Sequence, residues 1–209
     1  MRTHRPPSPS PTSPRDRIPF VGLTGGMASG KSTALAALAD LGAATISSDA
    51  VVHELLGSDE VRDAVAGRLG DEVIGTDGAL DRAAMAGKVF ASDADREWLE
   101  QLLWPRVRER VAAWYAALDG VPAAVVEVPL LFESGQEAVY DHTITVVAEE
   151  DVRAERAGGR GHEAVEGRTG RQLSQDEKSQ RADFTVRNDG TREELKAELS
   201  RVLATIGRD

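Results

Sequence analysis

Residues 25–33, with the sequence GGMASGKST, limit the possible folds of this chain more than any other stretch does. Four of their positions match the phosphate-binding pattern G-x-x-x-x-G-K-[ST], namely Gly25, Gly30, Lys31 and Ser32. The apolar run IPFVGLTG at 18–25 indicates a buried strand of a parallel sheet, and a helical pattern begins at Lys31. A strand, this loop and a helix in succession are the context that the pattern requires. Residues 25–33, called the phosphate loop below, therefore predict an α/β nucleotide-binding fold.

The residue types of the phosphate loop suit the binding of ATP with Mg²⁺. Glycines let backbone N–H groups surround a phosphate where a Cβ would obstruct it, and the helix N-terminus adds partial positive charge. Lys31 supplies a cation for the β- and γ-phosphates, and Ser32 supplies a hydroxyl ligand for Mg²⁺. The predicted ATP-binding residues of the loop are Gly25, Gly26, Met27, Ala28, Ser29, Gly30, Lys31, Ser32 and Thr33. A glycine-rich turn without a ligand is the alternative, and the complete pattern in its required context argues against it.

Segments typical of strands and helices alternate along the chain. This alternation predicts an α/β fold in which helices cover both faces of a five-stranded parallel sheet. The strands are expected at residues 18–25, 43–47, 123–128, 142–148 and 182–188. Helices are expected from Lys31 to a stop at Gly42, from Ala50 over AVVHELL, and over 80–90, 94–118 and 191–206. Pro105 is expected to interrupt or kink the longest helix.

The chain is expected to consist of a tail and one folded domain. Residues 1–17 are rich in proline and serine and predict a disordered tail, and residues 18–209 form the domain. Within it, residues 50–118 carry no strand pattern and predict a helical insertion after the second strand, with a polar segment up to Gly78. Residues 153–172 are rich in arginine and glycine and predict a mobile lid.

Composition argues against several kinds of site and partner. The chain has no cysteine, which excludes disulfides, thiolate zinc sites and cysteine nucleophiles and fits a reducing, cytoplasmic location. No apolar run approaches the ~20 residues that a membrane span needs, so we expect no membrane partner. The net charge is −10. Because the tail contributes +3, residues 18–209 carry −13 and would repel nucleic acid.

Asp49 follows the second predicted strand, at the edge where ligands bind in such sheets. Its carboxylate can accept a proton from an attacking hydroxyl group or hold a metal-bound water. The other role open to it is an N-cap for the helix that begins at Ala50. The two roles are compatible.

The stretch EVPLLFE at 127–133 follows the third predicted strand, which Pro129 ends. An apolar patch lies there between two acids. The patch is Leu130, Leu131 and Phe132, and the acids are Glu127 and Glu133. Ordinary core packing is the alternative role of the leucines.

The predicted lid contains five arginines, namely Arg153, Arg156, Arg160, Arg168 and Arg171. Arg156 and Arg160 are four positions apart and would share a helix face. Guanidinium groups on a closing lid would neutralise charge that develops on a transferred phosphoryl group and would exclude water. A solvated charged surface is the alternative.

A longer series of motifs recurs in a known order. It comprises VGLTGG at 21–26, GKST at 30–33, Asp49, LDR at 80–82, VF at 89–90, VPLLFE at 128–133, Arg156-x3-Arg160, Gln172 and ADFTVRNDG at 182–190. Together these motifs resemble dephospho-coenzyme A kinase, a phosphotransferase with an alcohol group as acceptor that completes coenzyme A by phosphorylating a ribose 3′-hydroxyl. The resemblance covers residues 18–206. The phosphate loop alone is generic, whereas the PLLFE and ADFxxxN segments are specific.

The resemblance implies catalytic roles for Lys31, Asp49, Arg156 and Arg160, with Asp49 as the base for the ribose hydroxyl. It places Asn188 near the nucleotide base and assigns the helical insertion to the coenzyme substrate. The implied substrate-binding residues are Asp49, Arg82, Pro129, Leu130, Leu131, Phe132 and Glu133. The expected cofactors are ATP and Mg²⁺, the expected partner is dephospho-coenzyme A, and the expected assembly is a monomer or weak oligomer.

Three positions depart from the family's pattern: Ser47 and Gly161 replace acids, and Trp104 replaces a histidine. None of them removes the phosphate loop, the implied base or the lid arginines, so we expect an active enzyme. Two alternatives stay open. One is a kinase for another small hydroxyl substrate, against which the PLLFE and ADFxxxN segments argue. The other is an ATP-binding regulatory protein without turnover.

Overall fold

The apolar runs of the sequence form one parallel sheet in the computed structural model, which describes residues 17–158 and 172–208. Its strands are β1 (Phe20–Gly25), β2 (Ala44–Ser47), β3 (Ala124–Glu127), β4 (His142–Val147) and β5 (Phe184–Arg187). Their spatial order is β2-β3-β1-β4-β5, and each neighbouring pair is parallel. The predicted five-stranded parallel sheet is confirmed. Apart from Arg17, the predicted tail lies outside the described residues.

Helices cover both faces of this sheet, as predicted. They are α1 (Lys31–Asp40), α2 (Ser48–Leu56), α3 (Asp59–Leu69), α4 (Arg82–Ala91), α5 (Asp93–Ala116), α6 (Glu150–Gly158), α7 (Gln175–Arg181) and α8 (Arg192–Ile206). Successive strand residues point to opposite faces. Accordingly Val125 of β3 packs with α1 and α8, whereas Val126 packs with α2 and α5. Among the described residues no helix is long and apolar enough to cross a membrane.

The segment between β2 and β3 contains α2 to α5 and has a hydrophobic cluster of its own. Helix α3 lies within the predicted polar segment. Val61, Val65 and Leu69 are spaced four apart and buried, and the Ser58 hydroxyl accepts from the Val61 N–H at the N-cap. The helix was not predicted because charged residues separate the three apolar positions and leave only a narrow apolar face, which is buried by neighbouring helices.

Pro105 does not interrupt α5, which runs through it as a single helix of 24 residues. A proline inside a helix removes one backbone hydrogen bond, which favours a break. Here the buried residues Leu103 and Val107 pack on either side of it, in two different hydrophobic clusters. Tertiary packing of an apolar face supplies most helix stability in proteins and outweighs the lost bond.

Candidate active site

The phosphate loop joins β1 to α1, as the strand–loop–helix pattern predicts. Three of its residues have a positive φ, which is 156° at Gly25, 57° at Ala28 and 93° at Gly30. A positive φ is unusual for a residue with a Cβ, and such strain collects at ligand-binding loops. Ser29, between Ala28 and Gly30, is fully buried, and its hydroxyl has no hydrogen-bond partner within the described ranges. The loop is therefore a constrained turn in which the buried Ser29 hydroxyl can still form a hydrogen bond.

The Lys31 ammonium group folds back over this turn. Its Nζ donates to the carbonyl oxygens of Gly25 and Gly26, at 3.1 and 3.0 Å. Gln172 donates from Nε2 to the same Gly25 carbonyl at 3.4 Å. Ser32 is exposed in the first turn of α1, where a hydroxyl oxygen is accessible to a metal ion. A cation and a hydroxyl thus lie beside the backbone groups of the loop.

Asn188 and Arg156 both reach the phosphate loop from distant parts of the chain. Asn188 is buried and donates from Nδ2 to the Ser29 carbonyl at 2.8 Å. A Cβ built on Gly30 would lie 3.7 Å from Nη1 of Arg156. That Nη1 is buried and has no hydrogen-bond partner in the described part of the chain. A guanidinium nitrogen with bonding capacity left beside a phosphate loop suits an anionic ligand. The other predicted lid arginine of the pair, Arg160, lies outside the described residues.

Gly30 is one position where the loop depends on the absence of a side chain. A Cβ there would lie 1.9 Å from Nδ2 of Asn188, so this amide would have to leave the Ser29 carbonyl. Gly42 offers a matched control, because its φ of 92° equals that of Gly30 within a degree and its Cβ would meet nothing within 4 Å. We expect Gly42→Ala to lower the free energy of unfolding by about 1–2 kcal/mol, the cost of the left-handed conformation alone.

Gly30→Ala should add to this cost the loss of the Asn188 hydrogen bond inside the fold, about 1–3 kcal/mol more. Urea unfolding of the two variants measures the difference directly, and ATP titration should show weaker binding for Gly30→Ala only. Equal losses of stability in both variants would mean that Asn188 does not hold the loop.

Strand register brings the carboxyl ends of β2, β3 and β1 side by side, with Ser47 opposite Glu127 and Glu127 opposite Leu23. Asp49 lies at this edge as the second residue of α2 and is exposed. The N-cap position of α2 is Ser47, so the N-cap role considered for Asp49 is wrong. The helix begins at Ser48, directly after the strand, and places the Asp49 carboxylate in its first turn.

Glu127 is a functional candidate to which the sequence pattern assigned no role. It is half-buried at the end of β3 and is the register partner of Ser47, the position where the family has an acid. Within residues 17–158 and 172–208, no three His, Cys, Asp or Glu side chains form a ready-made metal site. An open set of oxygen ligands suits Mg²⁺, which keeps several waters and takes further oxygens from substrate phosphates.

Residues 129–133, which follow β3, divide between the surface and the core. Leu130 is exposed, whereas Leu131 and Phe132 are 0% and 2% exposed and belong to the cluster around α2 and α5. Leu131 packs so closely on β1 that a Cβ on Gly22 would lie 3.0 Å from its Cδ2. Core packing, the alternative considered for the leucines, accounts for Leu131 and equally for Phe132. Glu133 is turned inward and forms an ion pair with Lys178 at 3.0 Å.

The insertion contributes Arg82, which begins α4 and contacts Nε2 of His53 on α2. His53 lies one helical turn beyond Asp49 on the same helix. The contact with His53 therefore links Arg82 to the helix that carries Asp49. Arg82 also lines a cavity of about 280 Å³ together with Leu56, Arg62, Asp77 and Leu80. Trp104, the departure from the family's histidine, packs against the cluster formed with α2.

A larger cavity, of about 760 Å³, lies next to the phosphate loop. Gly26 and Met27 line it on the side of the loop, and Arg153 and Gln175 line it from α6 and α7. Its volume is within the range of small-molecule sites. The phosphate loop therefore has room for a small molecule on the side that faces α6 and α7.

Comparison with known proteins identifies the family. The family model described as dephospho-CoA kinase matches residues 19–194. A dephospho-CoA kinase of Anaeromyxobacter dehalogenans is 39% identical over 89% of this chain and 91% of its own length. Among solved structures, TT1252 from Thermus thermophilus is 32% identical, with a TM-score of 0.78 over 90% of this chain and 98% of its own. A dephospho-CoA kinase from Campylobacter jejuni, 24% identical, has a TM-score of 0.66 over 90% and 97% of the two chains and shares the fold.

The match extends across the phosphate loop, the helical segment between β2 and β3, and the ADFTVRN strand. The resemblance inferred from the motifs is confirmed, and so is the kinase fold with ATP as a substrate. The chain belongs to the dephospho-CoA kinase family.

Proposed function

We propose that this enzyme transfers the γ-phosphoryl group of ATP to the ribose 3′-hydroxyl of dephospho-coenzyme A, giving coenzyme A and ADP in the last step of coenzyme A biosynthesis. The observation that carries this proposal is the convergence at one sheet edge. The phosphate loop after β1 and Asp49 after β2 flank the end of β3. Donor and acceptor sites on adjacent strand ends allow two reactants to be held in line.

Lys31, Arg156 and the backbone of the phosphate loop would hold the triphosphate. The Lys31 Nζ now bonds two loop carbonyls and can exchange them for β- and γ-phosphate oxygens. The Arg156 Nη1, which has no hydrogen-bond partner among residues 17–158 and 172–208, suits the charge that develops during transfer. In phosphoryl transfer the protein mainly positions the reactants and stabilises charge, and it takes little part in covalent chemistry. Arg160 would add a second guanidinium group.

Mg²⁺ would be held by the Ser32 hydroxyl, with Glu127 available to hold a metal-bound water. When bound, it neutralises phosphate charge and fixes the triphosphate. The exposure of Ser32 and the half-buried carboxylate of Glu127 at the neighbouring strand end fit such an open site. Glu127 compensates in this arrangement for Ser47, which lacks the acid of the family pattern.

Asp49 would accept the proton of the attacking hydroxyl, because it is the exposed carboxylate in the first turn after β2. The insertion, with Arg82 at the cavity edge, would hold the coenzyme substrate, and Pro129 and Leu130 would line its entrance. We propose further that the protein works in the cytoplasm as a monomer or weak oligomer, without nucleic-acid partners. Its acidity and lack of cysteine support this setting.

A panel of acceptors tests the proposed substrate. ADP release is measured with Mg²⁺ and ATP, and with dephospho-coenzyme A, a nucleoside monophosphate, shikimate or a hexose as acceptor. We expect turnover with dephospho-coenzyme A alone. Faster turnover with another acceptor would refute the proposed substrate, and omission of Mg²⁺ should abolish ADP release.

A further inference from the structure

Lys178 on α7 is fully buried, with 0% of its surface exposed. Burial of an ammonium group is costly, and burial lowers the pKa of Lys178. Replacing a buried ion pair by apolar residues of similar size is often neutral or stabilising, so such a pair is weak evidence for a role in stability. A lysine at this position therefore raises the question of what its contacts specify.

The Lys178 ammonium group has three oxygen partners. Nζ donates to the Pro129 carbonyl at 2.9 Å and to Oγ1 of Thr24 at 3.4 Å, and it forms an ion pair with Oε1 of Glu133 at 3.0 Å. Thr24 in turn donates from Oγ1 to the Pro129 carbonyl at 3.2 Å. Thr24 directly precedes the phosphate loop, and Pro129 opens the segment after β3. One ammonium group thus connects the strand that leads into the phosphate loop, where ATP would bind, with the segment after β3, on the side of the proposed phosphoryl acceptor.

The same segment makes further contacts with strand ends. The Leu173 N–H donates to Oε1 of Glu133 at 2.8 Å. Gln172 reaches the Gly25 carbonyl, and the Gln175 amide bonds both the N–H and the carbonyl of Ala148, directly after β4. Side chains at 172, 175 and 178, three positions apart, therefore contact the ends of β1, β4 and β3. We call the contacts of Gln172, Gln175 and Lys178 with these strand ends the brace, and the Lys178 contacts are part of it.

We propose that Lys178 is a positioning residue for phosphoryl transfer: with Glu133 it fixes the spacing between the phosphate loop and residues 129–133. The proposal rests on the proposed function, and it assigns Glu133 to this brace instead of to substrate contact. Both side chains would act through Thr24 and Pro129 and not on the reacting atoms themselves. A misplacement of about 1 Å between reactants can cost about 100-fold in rate, so loss of the brace should act on the transfer step.

The test separates this role from a role in folding by removing both charges together. Lys178→Met alone would leave Glu133 buried and unpaired, and that variant should be less stable than the wild type. In Lys178→Met/Glu133→Gln the glutamine keeps a carbonyl oxygen for the Leu173 N–H, and neither charge remains. We expect the double variant to recover most of the thermal stability that the single variant loses. Lys196→Met, on the outer surface of α8, is the control.

The kinetic readout decides the proposal. We expect kcat of the double variant to fall by about 10- to 100-fold, with the KM for ATP changed by less than about threefold. A stable double variant with the kcat of the wild type would refute the positioning role and leave the proposed function intact. A wild-type protein that does not phosphorylate dephospho-coenzyme A would refute the proposed function and, with it, this role of Lys178.

Discussion

Replacing Lys31 with alanine is expected to lower kcat/KM for phosphoryl transfer by about 10²–10³-fold, or roughly 3–4 kcal/mol of transition-state stabilisation. The side chain bonds the Gly25 and Gly26 carbonyls at 3.1 and 3.0 Å, so its ammonium group is already at the loop that receives the phosphates. As the bond between the γ-phosphoryl group and ADP breaks, a nearby cation stabilises the developing negative charge more strongly than it stabilises bound ATP. The loss should therefore be larger in kcat than in ATP affinity.

The measurement is steady-state kinetics of ADP release, combined with ATP titration of each protein. Lys196→Ala is a suitable control, since Lys196 lies on α8 and pairs only loosely with Asp40, at 3.8 Å. The control should retain wild-type kinetics. Near-native turnover of Lys31→Ala would show that residues 25–33 do not hold the transferred phosphate.

Replacing Asp49 with asparagine is expected to reduce kcat by about 10²–10⁴-fold, the usual contribution of a general base. The substitution keeps the size of the side chain and removes its ability to take a proton. Because Asp49 lies after β2, on the far side of β3 from the phosphate loop, ATP binding should be unchanged. A large loss of turnover with intact ATP affinity is the pattern that distinguishes a base from a nucleotide ligand.

Glu54→Gln, one helical turn and a residue further along α2, removes an exposed carboxylate from the same helix and is the matched control. Single-turnover kinetics with saturating dephospho-coenzyme A isolate the transfer step from product release. If Asp49→Asn transfers the phosphoryl group at the rate of the control, another group must take the proton, and Glu127 at the end of β3 is the next candidate.

The sheet and the phosphate loop could be predicted because their signals are local. The apolar run before Gly25 and the glycine spacing up to Lys31 each follow from rules that act over a few residues. Asp49 was predictable in the same way, because parallel strands bring their carboxyl ends to one edge. The N-cap role of Asp49 was wrong because α2 begins at Ser48, two residues before the predicted start at Ala50. Such a difference is within the usual uncertainty of helix ends.

The brace under the site could not be predicted, because it depends on contacts between distant parts of the chain. Lys178 lies 154 positions from Thr24, and a lysine in the charged stretch QDEKSQR suggests a solvated helix face. The inward turn of Glu133 has the same origin, since its partner comes from α7. Phe132 gave an apolar signal that suits a substrate pocket and a core equally, and only the packed structure separates the two.

The most direct test of the proposed function is the identity of the product that forms from dephospho-coenzyme A. Purified protein is incubated with ATP and Mg²⁺, with and without the acceptor, and the acceptor is analysed by mass spectrometry and by ³¹P NMR. The proposed function predicts that the acceptor gains one phosphate at the ribose 3′ position, with one ADP formed for each coenzyme A. ATP binding without a phosphorylated acceptor, or a phosphate at another position, would contradict it.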